Sequence, residues 1–567
     1  MIVMKHYDYY DFNTSEQSYI FTSKHTVMDI TNRVALVRAW MQSRGIRRYI
    51  VPTIDPHNSE YVPAHWQCRE WLTGFDGSAG TAVLTADGAW LYTDSRYWIQ
   101  AAEQLKDTPF TLVRDDRVAE EEGDVVYDPR EWPDPFDQWW EGRPAFPLSK
   151  AWKMSDETVG ESAESKLRRL VEYLRDEGEE QLLVEELSEV AWTLNLRGDD
   201  IPYNPFLIAF LLVRGDGCHT LYINKEQIPA DMEAYLAGLG VTLAPYEDAP
   251  RGNGVKSPVG AWRNVKNAAE ADGFRRAHEQ DGVAMVRFLR WLQETDVAQL
   301  TELDIDARLT ALRAESPDYL SLSFGTIAAY GPHGAIVHYE ATEESAARLA
   351  PSGLLLLDSG AHYRTGTTDI TRTLALGTLT EEERRVYTLV LKGHLQLQNM
   401  RFPEGTTGLQ LDTAVRMPLW RAGLDFGHGT GHGVGHVLGV HEGPHQIRKN
   451  VRDCTLLPFR AGQTMTDEPG VYLEGRFGVR IENMLLSVEA KTGEFTEGNG
   501  SCNQPAWLEW EPLTLCPYDL RPVMPELLTP DEKNWLNAYH EQVRSRLLPL
   551  LPTEEDRQWL IEATEAI

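Results

Sequence analysis

The chain has 567 residues, 42% of them hydrophobic and 17 of them tryptophan, which is material for two to four separately cored domains. Its 54 basic and 86 acidic side chains leave a formal net charge of −32. That balance argues against nucleic acid as a partner, which needs a basic footprint, and against anionic membrane surfaces. The five cysteines, Cys68, Cys218, Cys454, Cys502 and Cys516, are scattered and form no C-x-x-C pair. They read as reduced thiols rather than a disulfide frame or a zinc site. The longest apolar run, Phe206 to Val213, is far below the ~20 residues of a membrane helix. The N-terminus M-I-V-M-K-H-Y-D-Y-Y-D-F-N shows no secretory signal, so a cytoplasmic location is expected.

Residues 1–30 form a tyrosine-rich extension to which no role is assigned. Residues 31–155 read as an α/β domain. Val34, Val37, Trp40 and Met41 repeat with helical spacing between Thr31 and Gly45, and a strand follows at Arg48–Pro52. Gly80–Ala86 and Ala89–Thr93 read as a hairpin about Asp87-Gly88. The proline-rich R-E-W-P-D-P-F-D-Q-W-W-E-G-R-P-A-F-P-L suits a connection. A second α/β domain, 156–257, carries an amphipathic helix over Ser165–Gly178 and strands at Phe206–Val213 and His219–Asn224. The remainder, 258–567, opens with a long helical pattern from Lys266 to Glu294, marked by Phe274, Ala277, Val286 and Leu292. Short β-rich runs separated by glycines follow, and Pro530–Leu551 closes the chain as a helix.

The chemistry concentrates in that third region. Asp358 ends the apolar strand Leu354–Leu357, Asp369 sits in the alternating run Thr367–Thr373, and the series continues with His432, Glu468 and Glu482. Four carboxylates gathered in one site repel each other at a cost of several kcal/mol unless cations hold them. Two divalent cations balance four negative charges, and an oxygen-rich set with one imidazole suits manganese-like ions better than a tetrahedral structural zinc. The run G-H-G-T-G-H-G-V-G-H places His428, His432 and His436 at i, i+4 and i+8, which invites a helical reading. Alternating glycines, each costing about 1 kcal/mol in a helix, favour extended backbone instead. All three histidines then share one face.

The blocks around these residues are F-G-T-I-A-A-Y-G-P-H-G-A-I-V-H-Y, D-S-G-A-H-Y, T-T-D-I-T-R-T, G-H-G-T-G-H-G-V-G, V-H-E-G-P, D-E-P-G-V-Y and R-I-E-N. Upstream stand S-E-Y-V-P, G-F-D-G-S-A-G-T, T-D-S-R-Y and R-G-D-D-I-P-Y-N-P, and downstream L-T-L-C-P-Y-D-L and W-L-N-A-Y-H. In this order, from about Thr31 to the C-terminus, they resemble aminopeptidase P, the Xaa-Pro aminopeptidase, in its long three-domain form among the pita-bread metallopeptidases.

That resemblance implies an α/β (α+β) protein: two related N-terminal α/β domains followed by a pita-bread catalytic domain with a C-terminal helical extension. It implies two divalent metal ions, manganese first, with cobalt or zinc as alternatives. Asp358 would bind one ion, Asp369 and Glu482 would bridge both, and His432 and Glu468 would complete the other. Glu468 would also take a proton from the bridging water as hydroxide attacks. His338 and His441 match substrate-side histidines suited to proton transfer near neutrality, and His441 could also steady the oxyanion. His428 matches a histidine beside the metals. Arg480, two residues before Glu482, would orient Glu482 or Asp369. Tyr472 would contact substrate or a carboxylate behind the metal ligands, and Arg96, His428 and Arg480 would also line the substrate site, while His436 is expected to be packed or solvent-facing. His333, His362 and His445 receive no role.

The implied activity is removal of the N-terminal residue from peptides with proline second, by attack of a dimetal-bridging hydroxide on the Xaa-Pro bond. The implied partners are such peptides and a second copy of the chain, with Trp535 and Tyr539 forming an aromatic interface face. The rival readings are a prolidase restricted to Xaa-Pro dipeptides, a creatinase-like amidinohydrolase, and a non-catalytic pita-bread binding scaffold. Retention of all five ligand positions weighs against the scaffold.

Overall fold

The computed structural model describes residues 28–131, 133–490 and 506–567, so most of the tyrosine-rich start and Cys502 lie outside the described residues. The first helix, Ile30–Arg44, is capped by the Asp29 carboxylate and ends at Gly45, whose φ of 68° suits a residue without Cβ. It buries Val34, Val37 and Met41 against a five-stranded sheet. The order in that sheet is 111–113, 89–92, 81–85, 48–52 and 124–126. The second sheet runs 241–244, 219–222, 210–214 and 181–184.

The first four strands of the one and the four of the other share a pairing sequence: parallel, antiparallel, antiparallel. This common topology is the kinship between the two units that no sequence repeat displays. The expected strand Phe206–Val213 begins only at Phe210. Upstream of it the Asp200 carboxylate takes the Ile208 N–H at 2.8 Å, and the Phe206 carbonyl accepts from Asp200 N, so these groups are withdrawn from the ladder. The amphipathic helix spans Ala163–Glu177, set by the Ser162 cap and by Gly178 in the left-handed region.

The third region is built on the helix Ala268–Glu294, which starts at an Asn267–Glu270 capping box. Two antiparallel sheets form its functional face. One joins Ile327–Tyr330, Leu354–Ser359 and Ile370–Ala375. The other orders Arg401–Pro403, Trp507–Pro512, Asn483–Glu489 and Thr464–Asp467. The helix Glu381–Gln398 packs behind them, with Val390, Leu391 and Leu395 sharing a core with Leu536 and Val543 of the helix Pro530–Leu547.

That last helix stops short of the expected Leu551, and Glu554–Ala563 forms a separate helix. Pro549 and Pro552 cannot donate to a continuing ladder. Tyr539 also departs from expectation. It is 3% exposed and its hydroxyl meets Arg372 Nη2 at 3.1 Å and the Cys516 carbonyl at 3.0 Å, so it belongs to the interior rather than to an aromatic surface. Among the described residues no helix is long and apolar enough to cross a membrane.

Candidate metal centre and substrate cleft

The two functional sheets deliver their acids to one place. Asp358 lies in Leu354–Ser359, cross-strand from Ile327 on one side and Thr371 on the other. Asp369 stands one residue before the strand Ile370–Ala375. In the second sheet Asp467 pairs with Asn483, so Glu468, one residue beyond, and Glu482, one residue before, emerge at the same end of that strand pair. The Glu482 N–H donates to the Thr371 carbonyl at 3.0 Å and stitches the two sheets together. His432 arrives on the short strand Gly431–Gly433, which is extended as the glycine spacing predicts, paired with Glu442–Ile447. Gly431 is required there, since a Cβ would lie 1.9 Å from the Thr466 carbonyl oxygen.

Asp369, His432 and Glu482 each offer a ligand atom, and all of these lie within 4.8 Å of one another. Glu468 Oε1 is 3.5 Å from His432 Nε2. Asp358 is turned differently: its Oδ2 accepts from Arg480 Nη2 at 2.6 Å and Nε at 3.1 Å, while its buried Oδ1 has no partner. Burial and mutual repulsion push the Asp369 and Glu482 carboxyls well above their usual range, and burial with Asp358 nearby lifts Glu468 to about 7. A buried cluster so unwilling to ionise, with an orphaned carboxylate oxygen, is a donor set fitted to divalent cations. His432 is prepared for the same task. Its Nδ1–H donates to the Gly433 carbonyl at 2.9 Å, leaving the Nε2 lone pair toward the acids.

The other site residues sort by contact. Arg480 was expected to orient Glu482 or Asp369, but it grips Asp358. The strand ends at Arg480, so the two-residue spacing to Glu482 no longer keeps a common face. Tyr472 does not line the cleft. Its hydroxyl accepts from Arg480 Nη1 at 2.8 Å and donates to His428 Nε2 at 2.8 Å, while His428 Nδ1 donates to the Gly429 carbonyl at 2.7 Å. Tyr472 therefore bridges His428 and Arg480 through its hydroxyl.

Arg96 lines the cleft, with its Nε and Nη2 committed to Asp94 at 2.8 Å each. His436 is packed, bonding the Thr365 carbonyl at 2.8 Å. His362 is buried between Thr367 Oγ1 and the Tyr203 carbonyl, His333 pairs with Glu302, and His445 bonds Asn264.

A cleft of about 1260 Å³ covers this floor and is roofed by the first α/β unit. The roof supplies two residues that the sequence did not single out. Glu60 Oε2 meets His441 Nδ1 at 2.6 Å, across 381 positions of chain, and the His441 ring stands edge-on to His432 with centroids 4.3 Å apart. Tyr97 OH meets His338 Nδ1 at 2.7 Å and Ser78 Oγ at 2.7 Å. Against the pull of burial, Glu60 raises His441 to about 9, while burial and the nearby Arg96 hold His338 well below an ordinary histidine. Glu60 and Tyr97 lie in S-E-Y-V-P and T-D-S-R-Y, blocks that carry the resemblance. Their partners across the cleft are not readable from spacing.

Four family models match in order. They are the Creatinase/Prolidase N-terminal domain over residues 33–137 and again over 142–255, metallopeptidase family M24 over 272–489, and the C-terminal region of peptidase M24 over 506–567. The chain is 36% identical to a probable Xaa-Pro aminopeptidase P of Fusarium vanettenii, covering 91% of this chain and 95% of that one. It is 33% identical to aminopeptidase P1 of Arabidopsis thaliana, covering 91% and 96%. The X-prolyl aminopeptidase of Caenorhabditis elegans, a cytosolic enzyme with a dinuclear active site, superposes with a TM-score of 0.87 at 31% identity, over 95% of this chain and all of that one. With a pita-bread domain behind two creatinase-type domains and this kinship along nearly its whole length, the chain belongs to the aminopeptidase P family of M24 metallopeptidases.

Proposed function

We propose that this protein is a dinuclear metal-dependent aminopeptidase that releases the first residue of peptides whose second residue is proline. The observation that carries the reading is the buried acid–histidine cluster on the floor of a peptide-sized cleft, closed above by the first α/β unit. Asp358, Asp369, His432, Glu468 and Glu482 are the residues that would hold the ions, manganese being the best match to one imidazole among carboxylates. When bound, two such ions supply an activated water and offset the excess negative charge.

The chain's own groups divide the remaining work. Arg480 fixes Asp358 and leaves its Oδ1 free to bind. The floor carboxylates attract the positive amine of the peptide. Glu468, among the residues that would hold the ions, would accept the proton that a bound water gives up. His338, neutral and accepting from Tyr97 at Nδ1, presents an Nε2–H to the scissile carbonyl oxygen. His441, held as a cation by Glu60, presents an Nε2–H to the proline nitrogen as the C–N bond breaks. Opposite environments thus set two histidines to two tasks.

The proline nitrogen, like any amide nitrogen, must gain a proton as the C–N bond breaks, and such a donor supplies it. A pocket fitted to the pyrrolidine ring would bury two more carbons than alanine's methyl, ~1.6 kcal/mol at ~0.8 kcal/mol each, or about fifteenfold in rate. With manganese present, Arg-Pro-Pro is expected to be cut at least ~15-fold faster than Arg-Ala-Pro. Equal cleavage of the two rejects the proline preference, and cleavage of Arg-Pro alone makes the protein a prolidase.

A cytoplasmic location fits the four unpaired cysteines among the described residues. A homodimer is supported by Met417 and Trp420, each 44% exposed, on the helix that borders a groove shared with Trp535. Light scattering at micromolar concentration is expected to report twice the 64.2 kDa chain mass, and a purely monomeric solution rejects the dimer.

A further inference from the structure

The walls of the substrate cleft carry both signs of charge. Glu70, Asp76 and Glu340 form an acidic group, in which burial and the nearby Asp76 charge lift the carboxyls of Glu70 and Glu340. The same walls carry the cations Arg114, Arg448, Lys449 and Arg452, with Asp94, Asp115 and Asp116 among them. Two of these cations are already matched: Lys449 Nζ to Asp425 at 2.5 Å and Arg452 Nη2 to Asp116 at 2.8 Å. Arg448 is not. It is half-buried, and its hydrogen bond among the described residues is to the neutral Gln446 Oε1 at 3.1 Å. Burial and the neighbouring Arg452 and Arg96 cations depress its basicity against a weaker pull from Asp94, and it makes no ion pair among the described residues. Arg114 lies over the Trp98 ring at 5.6 Å and forms no ion pair among the described residues.

The position of Arg448 fixes its distance from the chemistry. Gln446 is cross-strand from His432, and Arg448 follows it by two residues, about 7 Å further along an extended backbone. A Cβ placed on Gly429, beside His428, would stand 3.8 Å from Arg448 Cβ, so this side chain flanks the cleft floor. An extended peptide advances ~3.3 Å per residue and reaches the same point two to three residues past the cut bond. With its amine end drawn to the floor carboxylates, the carboxylate end of a short peptide comes within reach of a cation at this distance.

Building on the proposed function, we propose that Arg448 is a specificity-determining residue that receives the C-terminal carboxylate of tri- and tetrapeptides, with Arg114 a second cation of the same cleft. The substrate class that follows is short peptides with proline second and a free C-terminus.

The test compares Arg-Pro-Ala-Ala as the free acid and as its C-terminal amide, in the manganese-loaded wild type and in Arg448→Met. Charge-assisted hydrogen bonds of this kind predict a wild-type preference for the acid of roughly tenfold to hundredfold in kcat/KM, carried mainly in KM and shrinking with added salt. In Arg448→Met the acid-to-amide ratio is expected to fall toward one, and in Arg448→Lys to recover in part. Equal cleavage of acid and amide by the wild type overturns the assignment while leaving the peptidase intact. So does an Arg448→Met variant that slows both peptides alike. Failure of the wild type to cut either peptide removes the proposed function, and this assignment with it.

Discussion

Asp369→Asn is expected to lose turnover and metal together. The side chain keeps its size, so packing at this buried position is unchanged. What changes is charge. Asp369 lies within 4.8 Å of ligand atoms of both His432 and Glu482, and burial with the Asp358 and Glu468 charges makes its ionised form costly unless a cation is present. An amide relieves that repulsion in the metal-free protein and removes the anchor from the loaded one. The two effects predict opposite shifts: a metal-free melting temperature at or above that of wild type, and loss of the rise that manganese gives the wild type by binding the folded state. Turnover should fall by ~10³-fold or more, since metal coordination is what brings the pKa of a water from about 15.7 to near 7. A variant that retained its manganese and worked within tenfold of wild type would contradict the ligand assignment.

The sequence disclosed this site unevenly, for physical reasons. Asp358 is legible because an apolar run that closes on an acid carries that acid to the end region of a strand, and Asp369 because it stands in an alternating run. The non-helical course of G-H-G-T-G-H-G, a strand at Gly431–Gly433, follows from the cost of glycine in a helix. Neither inference needs a distant part of the chain. Arg480 was misassigned because period-two spacing holds only while a strand continues, and this strand ends at Arg480 itself. Tyr539 was placed on a surface because helical spacing shows which residues share a face, not which face turns inward. The Arg372 guanidinium decides that, drawing the Tyr539 hydroxyl inward. Glu60 and Tyr97 escaped altogether. Their roles arise only when a separate folding unit is laid over the catalytic sheets, and no local pattern encodes that docking. The kinship of the two α/β units was likewise hidden in residues yet plain in strand order, because topology is conserved by packing geometry rather than by particular side chains.

His441→Ala and Glu60→Gln form the complementary experiment, one that separates chemistry from metal binding. His441 touches His432 edge-on but contributes nothing to the 4.8 Å ligand cluster. Removing it should lower kcat by ~10²–10⁴-fold, the usual effect of losing one positioned proton donor or oxyanion partner, while manganese content stays at the wild-type level. Glu60 meets His441 at Nδ1, 2.6 Å away. Its replacement by glutamine keeps a hydrogen-bonding group of the same size and withdraws the charge that holds the imidazole protonated. A smaller fall in kcat, about tenfold to hundredfold, is expected. The decisive measurement is the double variant. If Glu60 works by holding His441 as a cation, then once His441 is gone the charge of Glu60 has nothing to act on, and Glu60→Gln/His441→Ala should be no slower than His441→Ala alone. Multiplying losses would show that Glu60 engages the substrate independently of His441. Loss of manganese from His441→Ala would move that histidine from the chemistry into the metal site.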